Sequence, residues 1–142
     1  MNVATALKGF LTIKEKEDIR RPETIIKAYE YFLKGRQLFH QLALNEAKLF
    51  FEKAIELDSE YALAYAGLAD AYSWLYEWEG AKKSDLEEAE KNSMQALSLA
   101  PNLSESHSSR GFVLSFGNRY EEAEQEFKEA IRLNPNSFDV YY

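Results

Sequence analysis

The side chains best suited to acid–base or metal chemistry are few and scattered. The chain holds two histidines, His40 and His107, far apart in sequence, and no cysteine. No HExxH or CxxC spacing occurs, so neither a zinc site nor thiol chemistry has its ligands. GxGxxG, Walker and GxSxG patterns are also missing. Ser104, Ser106, Ser108 and Ser109 cluster with no base in evidence and read as a polar helix start. Pairs such as Glu87/Glu88 and Glu121/Glu122 read as exposed helix charges, since nothing around them implies a pocket that would raise a pKa. His107 is expected to pack in a core or interface, and His40 to meet the dipole near a helix end. These residues predict no catalysis, no cofactor and no metal.

A second group carries binding chemistry. The stretch 73–92, SWLYEWEGAKKSDLEEAEKN, places Trp74, Tyr76 and Trp78 close together, ahead of a glycine and a charged run. Large aromatics of this kind anchor many interfaces, but they equally fill cores. Deciding between the two requires the elements that position them.

Those elements are helices. The chain has 142 residues, 46% hydrophobic, with six glycines and three prolines. Its Leu, Ala, Glu and Lys content and long segments free of Gly and Pro favour helix. The net charge is −7, unevenly spread: residues 1–27 carry a net +2 and residues 28–142 a net −9. An acidic body repels phosphate backbones, so nucleic acid is not an expected partner, and the mixed run Lys14–Arg21 reads as a solvated helix face or linker. No apolar run reaches the roughly 20 residues that span a bilayer. The start lacks the basic region and long apolar core of a signal peptide. The expected setting is the cytoplasm, without membrane attachment, as a whole protein or as a soluble part of a larger one.

Three phrases recur: KAIELDSE from Lys53, QALSLAPN from Gln95 and EAIRLNPN from Glu129. The step from Ala96 to Ala130 matches the period of a two-helix repeat, about 34. The step from Ala54 to Ala96 is eight positions longer, and the excess falls in the tryptophan-bearing stretch. Gly35, Ala69 and Gly111, with Ala47, Ala89 and Ala123 opposite, stand where paired helices approach closely. Phe51 and Phe127 fill the space between, and Pro101 and Pro135 punctuate. Helices are predicted near 24–41, 45–57, 61–79, 85–99, 103–116, 119–133 and 137–142. Ser84–Glu87 and Asn118–Glu121 resemble capping boxes, and Asn102, Asn136 and Thr24 are further candidate caps.

In these positions the chain resembles the tetratricopeptide repeat (TPR) family. Repeat one, 28–61, offers Tyr31, Gly35, Leu38, Ala47, Phe51 and Ala54. Repeat two, 62–103, offers Tyr65, Leu68, Ala69, Tyr72, Ala89, Ala96 and Pro101, with the eight-residue insertion. Repeat three, 104–137, offers Gly111, Leu114, Ala123, Phe127, Ala130 and Pro135. Residues 138–142 begin a fourth first-helix. His107, Ser93, Lys34 and Arg110 depart from the usual residues. The resemblance covers the chain from Ala28 onward. It implies an all-α helix-turn-helix solenoid coiled as a right-handed superhelix, three repeats plus a partial fourth, that binds proteins without catalysis.

The family's geometry implies that the first helices of the repeats line a groove for a protein or peptide partner. The groove candidates are Tyr29, Phe32, Arg36 and Phe39 in repeat one; Leu63, Ala66, Asp70 and Ser73 in repeat two; and Glu105, Ser108 and Phe112 in repeat three. Asp139 and Tyr142 would extend the row. Arg36 is the candidate for gripping a carboxylate. Family members that bind chaperone tails hold the terminal carboxylate with Lys, Asn, Asn, Lys and Arg. The equivalent places here hold Phe32, Arg36, Gly67, Glu105 and Ser109, so binding of such tails is not expected.

Residues 1–27 lie outside the repeat. Val3–Phe10 and Ile13–Arg20 could form two short helices before Pro22 breaks the chain. They read either as a cover for the end of the array or as the tail of an upstream domain. Their wording is similar to the linker before such repeats in large bacterial signalling proteins, which makes a regulatory segment of a signalling enzyme or transcription regulator the alternative function. The unfinished end, with Phe138, Tyr141 and Tyr142, makes self-association a third possibility. The insertion is expected to lengthen the first helix of repeat two by about two turns, ended by Gly80. Lys82 and Lys83 would then lie in a loop, with Trp74, Tyr76 and Trp78 either packed near Phe39 or Phe116 or exposed as a contact site.

Overall fold

The computed structural model describes residues 22–137. The expected helices over 3–10, 13–20 and 137–142, and the residues Phe138, Asp139, Tyr141 and Tyr142, lie outside those residues or at their edge. Six helices follow in order: α1 Pro22–His40, α2 Leu44–Leu57, α3 Ala62–Trp78, α4 Lys83–Leu99, α5 Ser104–Phe116 and α6 Tyr120–Leu133, then a 3-10 turn at Pro135–Ser137. The described residues contain no strand, and the fold is an all-α helical-repeat solenoid. Each boundary falls within about two residues of its expected position. No helix of the described residues is long and apolar enough to cross a membrane.

Each helix packs on its chain neighbour, and the odd-numbered helices also touch one another. Small residues make this possible. Ala28, Ala47, Ala54, Ala64, Ala69, Ala71, Ala89, Ala96 and Ala130 are fully enclosed, so helix axes approach without large side chains between them. One core group surrounds Phe51, with Phe32, Leu38 and Leu68; the Phe32 ring centroid lies 5.9 Å from that of Phe51 and 5.3 Å from that of Tyr61. At the other end, Phe127 meets Phe112 edge-on at 5.3 Å.

The helix ends depart from the expected caps. Leu42, Ala81 and Asn118 take left-handed backbone conformations, with φ of 63°, 53° and 65°. In the first and last of these turns the next residue's N–H returns to a carbonyl five positions back, Ala43 to Leu38 and Arg119 to Leu114. Asn118 is therefore consumed in closing α5, a conformation asparagine tolerates, and does not cap α6. Arg119 takes the cap position without a side-chain bond to the helix backbone. Ser84 lies inside α4, whose cap is Lys82; Leu103, not Asn102, precedes α5. Thr24 lies inside α1, which opens at Pro22: proline suits a first helical position, so it starts the helix here instead of breaking it.

The insertion is also distributed differently. Aligned at their starts, α3 runs four residues beyond the end of α5; set on the spacing of Ala96 and Ala130, α4 starts three residues before the equivalent start of α6, and one residue joins the loop. Both helices therefore gain about one turn, where one helix was expected to gain two. Gly80, with φ of 91°, does close α3, but Lys83 already belongs to α4.

The four serines of α5 are not a polar start. Ser104, Ser106 and Ser109 are buried. Ser104 Oγ donates to the Ala130 carbonyl of α6 at 2.8 Å, Ser106 Oγ to Ala96 of α4 at 3.2 Å and Ser109 Oγ to Ala66 of α3 at 3.1 Å. One helix is thus tied to three others by hydroxyls small enough for close packing. Arg110, where leucine was usual, is buried and brings Nη1 within 2.5 Å of Glu90 Oε2 on α4, an ion pair without hydrogen-bond angles. His107 joins α5 to its surroundings through Nδ1 and Glu126 Oε2 at 2.7 Å and Nε2 and the Pro101 carbonyl at 2.6 Å.

Candidate binding groove

The odd-numbered helices supply one face of residues each, and these faces converge on a groove of about 610 Å³. Phe32, Arg36 and Phe39 come from α1. Leu63, Ala66, Asp70, Trp74 and Trp78 come from α3, and Glu105, Ser108 and Phe112 come from α5. Of the expected groove residues, Phe32, Arg36, Phe39, Leu63, Ala66, Asp70, Glu105, Ser108 and Phe112 are brought together here. Tyr29 is half exposed on the first half of α1 and does not line the groove.

Ser73 is a correction. It is fully enclosed, with its hydroxyl lacking a hydrogen-bond partner. A helix advances 3.6 residues per turn, so the face that carries Leu63, Ala66 and Asp70 continues at Trp74 and Trp78, while Ser73 rotates inward. His40, Leu42, Leu44, Gly67, Leu103 and Ser104 also border the groove. The loop residues among them had no periodic signal to mark them.

The aromatic stretch divides along the same helical logic. Trp74 meets Phe116 edge-on at 5.2 Å and Phe112 at 6.0 Å, so it packs on α5. Trp78 lies against Trp74 at 4.9 Å yet is 53% exposed. Tyr76 is half-buried and does not line the groove. The packing near Phe116 is present; the packing near Phe39 is not among the ring contacts of the described residues. Part of the stretch is core and part is groove wall.

The charge pattern is specific. Arg36 is exposed, its guanidinium carbon 5.8 Å from the centroid of the Phe32 ring, so a solvated cation stands on an aromatic floor at one wall. Asp70 and Glu105 stand on the other helices. Burial pushes the Asp70 carboxyl up to about 7; the Ser109 hydroxyl opposes this, and the negative Glu105 adds to it. Burial likewise pushes the Tyr61 hydroxyl up to about 12, helped by Tyr29 and Asp58 and opposed by Arg36. Among the described residues no group of three His, Asp or Glu is placed to hold a metal ion. The site offers apolar surface, hydrogen-bonding groups and charge, the means by which a groove binds a ligand.

A sequence model described as Tetratricopeptide repeat matches residues 31–61 and 104–137. Among solved structures, the first TPR domain of human RPAP3 shares 23% identity over 82% of this chain and 86% of that one, with a TM-score of 0.67. The Arabidopsis OM64 TPR domain shares 23% over 80% and 87%, with a TM-score of 0.66. The second TPR of Spaghetti (RPAP3), bound to the HSP90 peptide SRMEEVD, shares 26% over 79% and 96%, with a TM-score of 0.63.

Proposed function

Because the chain is a tetratricopeptide-repeat protein, we propose that it is a non-catalytic interaction scaffold whose groove holds a peptide or helix of a protein partner. The observation that carries this is the groove itself: helices distant in sequence converge aromatic and polar side chains on about 610 Å³ of open space, the kind of concave, mostly apolar site that ligands fill. Phe39, Trp74, Trp78 and Phe112 are the anchors, since rigid aromatics bury large area at little entropic cost. The structurally similar domain seen with an HSP90 peptide supports peptide binding as the mode. The acidic sequence SRMEEVD does not suit a groove with Asp70 and Glu105 in its wall, so the partner is of a different chemistry.

The test is selection of peptides on the protein from a random display library, followed by mapping of amide NMR shifts. Selected peptides are expected to perturb Arg36, Asp70, Trp74 and Ser108 and to leave exposed Met94 and Gln95 unmoved. Shifts confined to Met94, Gln95 and their neighbours would defeat the groove reading.

A further inference from the structure

The groove contains a carboxylate oxygen that the fold leaves unused. Asp70 Oδ1 is buried and has no hydrogen-bond partner. The nearby Ser109 hydroxyl has one proton, and it is donated to the Ala66 carbonyl. Glu105, the second carboxylate of the lining, repels Asp70. Among the described residues, neither acid has a Lys, Arg or His nitrogen within 4.0 Å. The groove's own basic residues are engaged elsewhere on α1: Arg36 lies over Phe32 and His40 meets Phe39 edge-on at 5.8 Å. A desolvated acid beside a second acid, with one oxygen lacking a partner, costs stability and returns little to the fold.

We propose that this pair is the recognition element of the groove, receiving the lysine or arginine side chain of a partner peptide whose flanking residues are apolar. The proposal rests on the groove reading above and gives its partner a chemistry. A cation seated between Asp70 and Glu105 relieves their repulsion and supplies the missing partner of Asp70 Oδ1. Trp74 lies one turn along α3 from Asp70, its ring 6.0 Å from that of Phe112, and both line the groove; an aromatic face adds attraction for a desolvated guanidinium or ammonium. Leu63, Leu103 and Phe39 offer apolar contacts to the flanking residues. The net −9 of residues 28–142 draws the same kind of ligand from a distance. The sign is opposite to that of a carboxylate-gripping groove.

Binding also couples to protons. A cation takes Asp70 in its ionised form, so binding near neutrality releases a proton and weakens as pH falls. The charged or titratable groups facing Asp70 are Arg36 and His40 from α1 and Glu105 from α5; α2 contributes only Leu44 and Phe51 to the lining.

The experiment compares peptides recovered from the random library, washed in high salt, on the wild-type protein and on Asp70→Asn. Wild-type peptides are expected to share a basic residue between apolar ones, enriched several-fold, and the enrichment is expected to vanish on Asp70→Asn. A synthetic consensus peptide should lose about tenfold or more in affinity when its basic residue becomes glutamine, and the ratio should collapse in Asp70→Asn and in Glu105→Gln. Between pH 8 and pH 6 the basic peptide should weaken several-fold on the wild type and on His40→Gln, and stay level on Asp70→Asn. Groove-bound peptides without basic enrichment, or with an acidic one, would overturn the cation assignment while leaving the groove reading intact; recovery of no groove-bound peptide would overturn both. Asp70→Asn keeps the shape of the side chain and removes only its charge, and circular dichroism checks that it is folded.

Discussion

The ring of Phe51 on α2 lies against Gly35 of α1 so closely that a Cβ at residue 35 would sit 2.8 Å from its Cδ1 and Cε1 atoms. The same ring also meets Gly67 of α3, where a Cβ would sit 2.6 Å from Cε1. One phenylalanine therefore spaces three helices, and the two glycines are its sockets. Alanine at either place gains about 1 kcal/mol of helix propensity but overpacks a ring that has no room to retreat, costing about 1–3 kcal/mol. Gly35→Ala and Gly67→Ala are expected to lower unfolding free energy in urea, and Phe51→Leu in the Gly35→Ala background to recover part of the loss. Phe51→Ala alone should cost about 3–5 kcal/mol. A Gly35→Ala protein as stable as its parent would show that the helices spread freely.

The Gly35 contact is legible in the sequence because Gly35 and Gly111, the alanines and the two phenylalanines recur in register, and only small residues permit close helix approach; the Gly67 contact is not, since the small residue expected on that helix is Ala69. What escaped were features decided between elements. Asn118 has the composition of a cap but is spent in a left-handed turn. Ser104, Ser106 and Ser109 look like a solvated start until α3, α4 and α6 surround them. Ser73 and Trp74 are neighbours in sequence, and a rotation of one residue on the helix sends the first into the core and the second into the groove wall. Asp70 is a groove candidate only through the geometry that the family resemblance implies; that its Oδ1 lacks a partner depends on what α1 and α5 bring opposite.

The serine seam of α5 predicts an asymmetry between losing a hydroxyl and gaining volume. The Ala96 and Ala130 carbonyls that accept from Ser106 and Ser104 also accept the N–H of Ala100 and Asn134, so removing the hydroxyl leaves no bare carbonyl. Ser106→Ala is expected to cost about 1 kcal/mol. Ser106→Leu, at a site with no exposed surface, should cost about 1–3 kcal/mol more. Thermal unfolding followed by circular dichroism separates the two; equal losses would mean that the seam tolerates volume.

The two tryptophans should respond differently. Trp74 holds α3 to Phe112 and Phe116, whereas Trp78 contacts Trp74 and is otherwise largely in water. Trp74→Ala is expected to destabilise by about 2–3 kcal/mol, less than a fully buried ring because Trp74 is only half-buried. Trp78→Ser should fall within about 1 kcal/mol of the parent while weakening groove-bound peptides. A Trp78→Ser protein as unstable as Trp74→Ala would make both indoles structural.

Asp70 predicts the pH dependence of stability, and the sign follows from its raised pKa. In the unfolded chain the carboxyl has its ordinary value of 3.8, and in the folded protein burial raises it to about 7. The folded state thus binds the proton more tightly. Its contribution to stability is complete below pH 3.8 and is lost progressively as pH rises to about 7, above which no more is lost. The total is on the order of a few kcal/mol. Asp70→Asn removes the dependence, so its stability advantage over the wild type is expected to grow between pH 4 and pH 7 and then level off, measured by urea unfolding across that range. A constant difference across the range would mean that Asp70 titrates alike in both states, and the unpartnered carboxylate would then cost the fold nothing. A growing difference means that the groove carries its acid at the expense of stability, which a bound cation would restore.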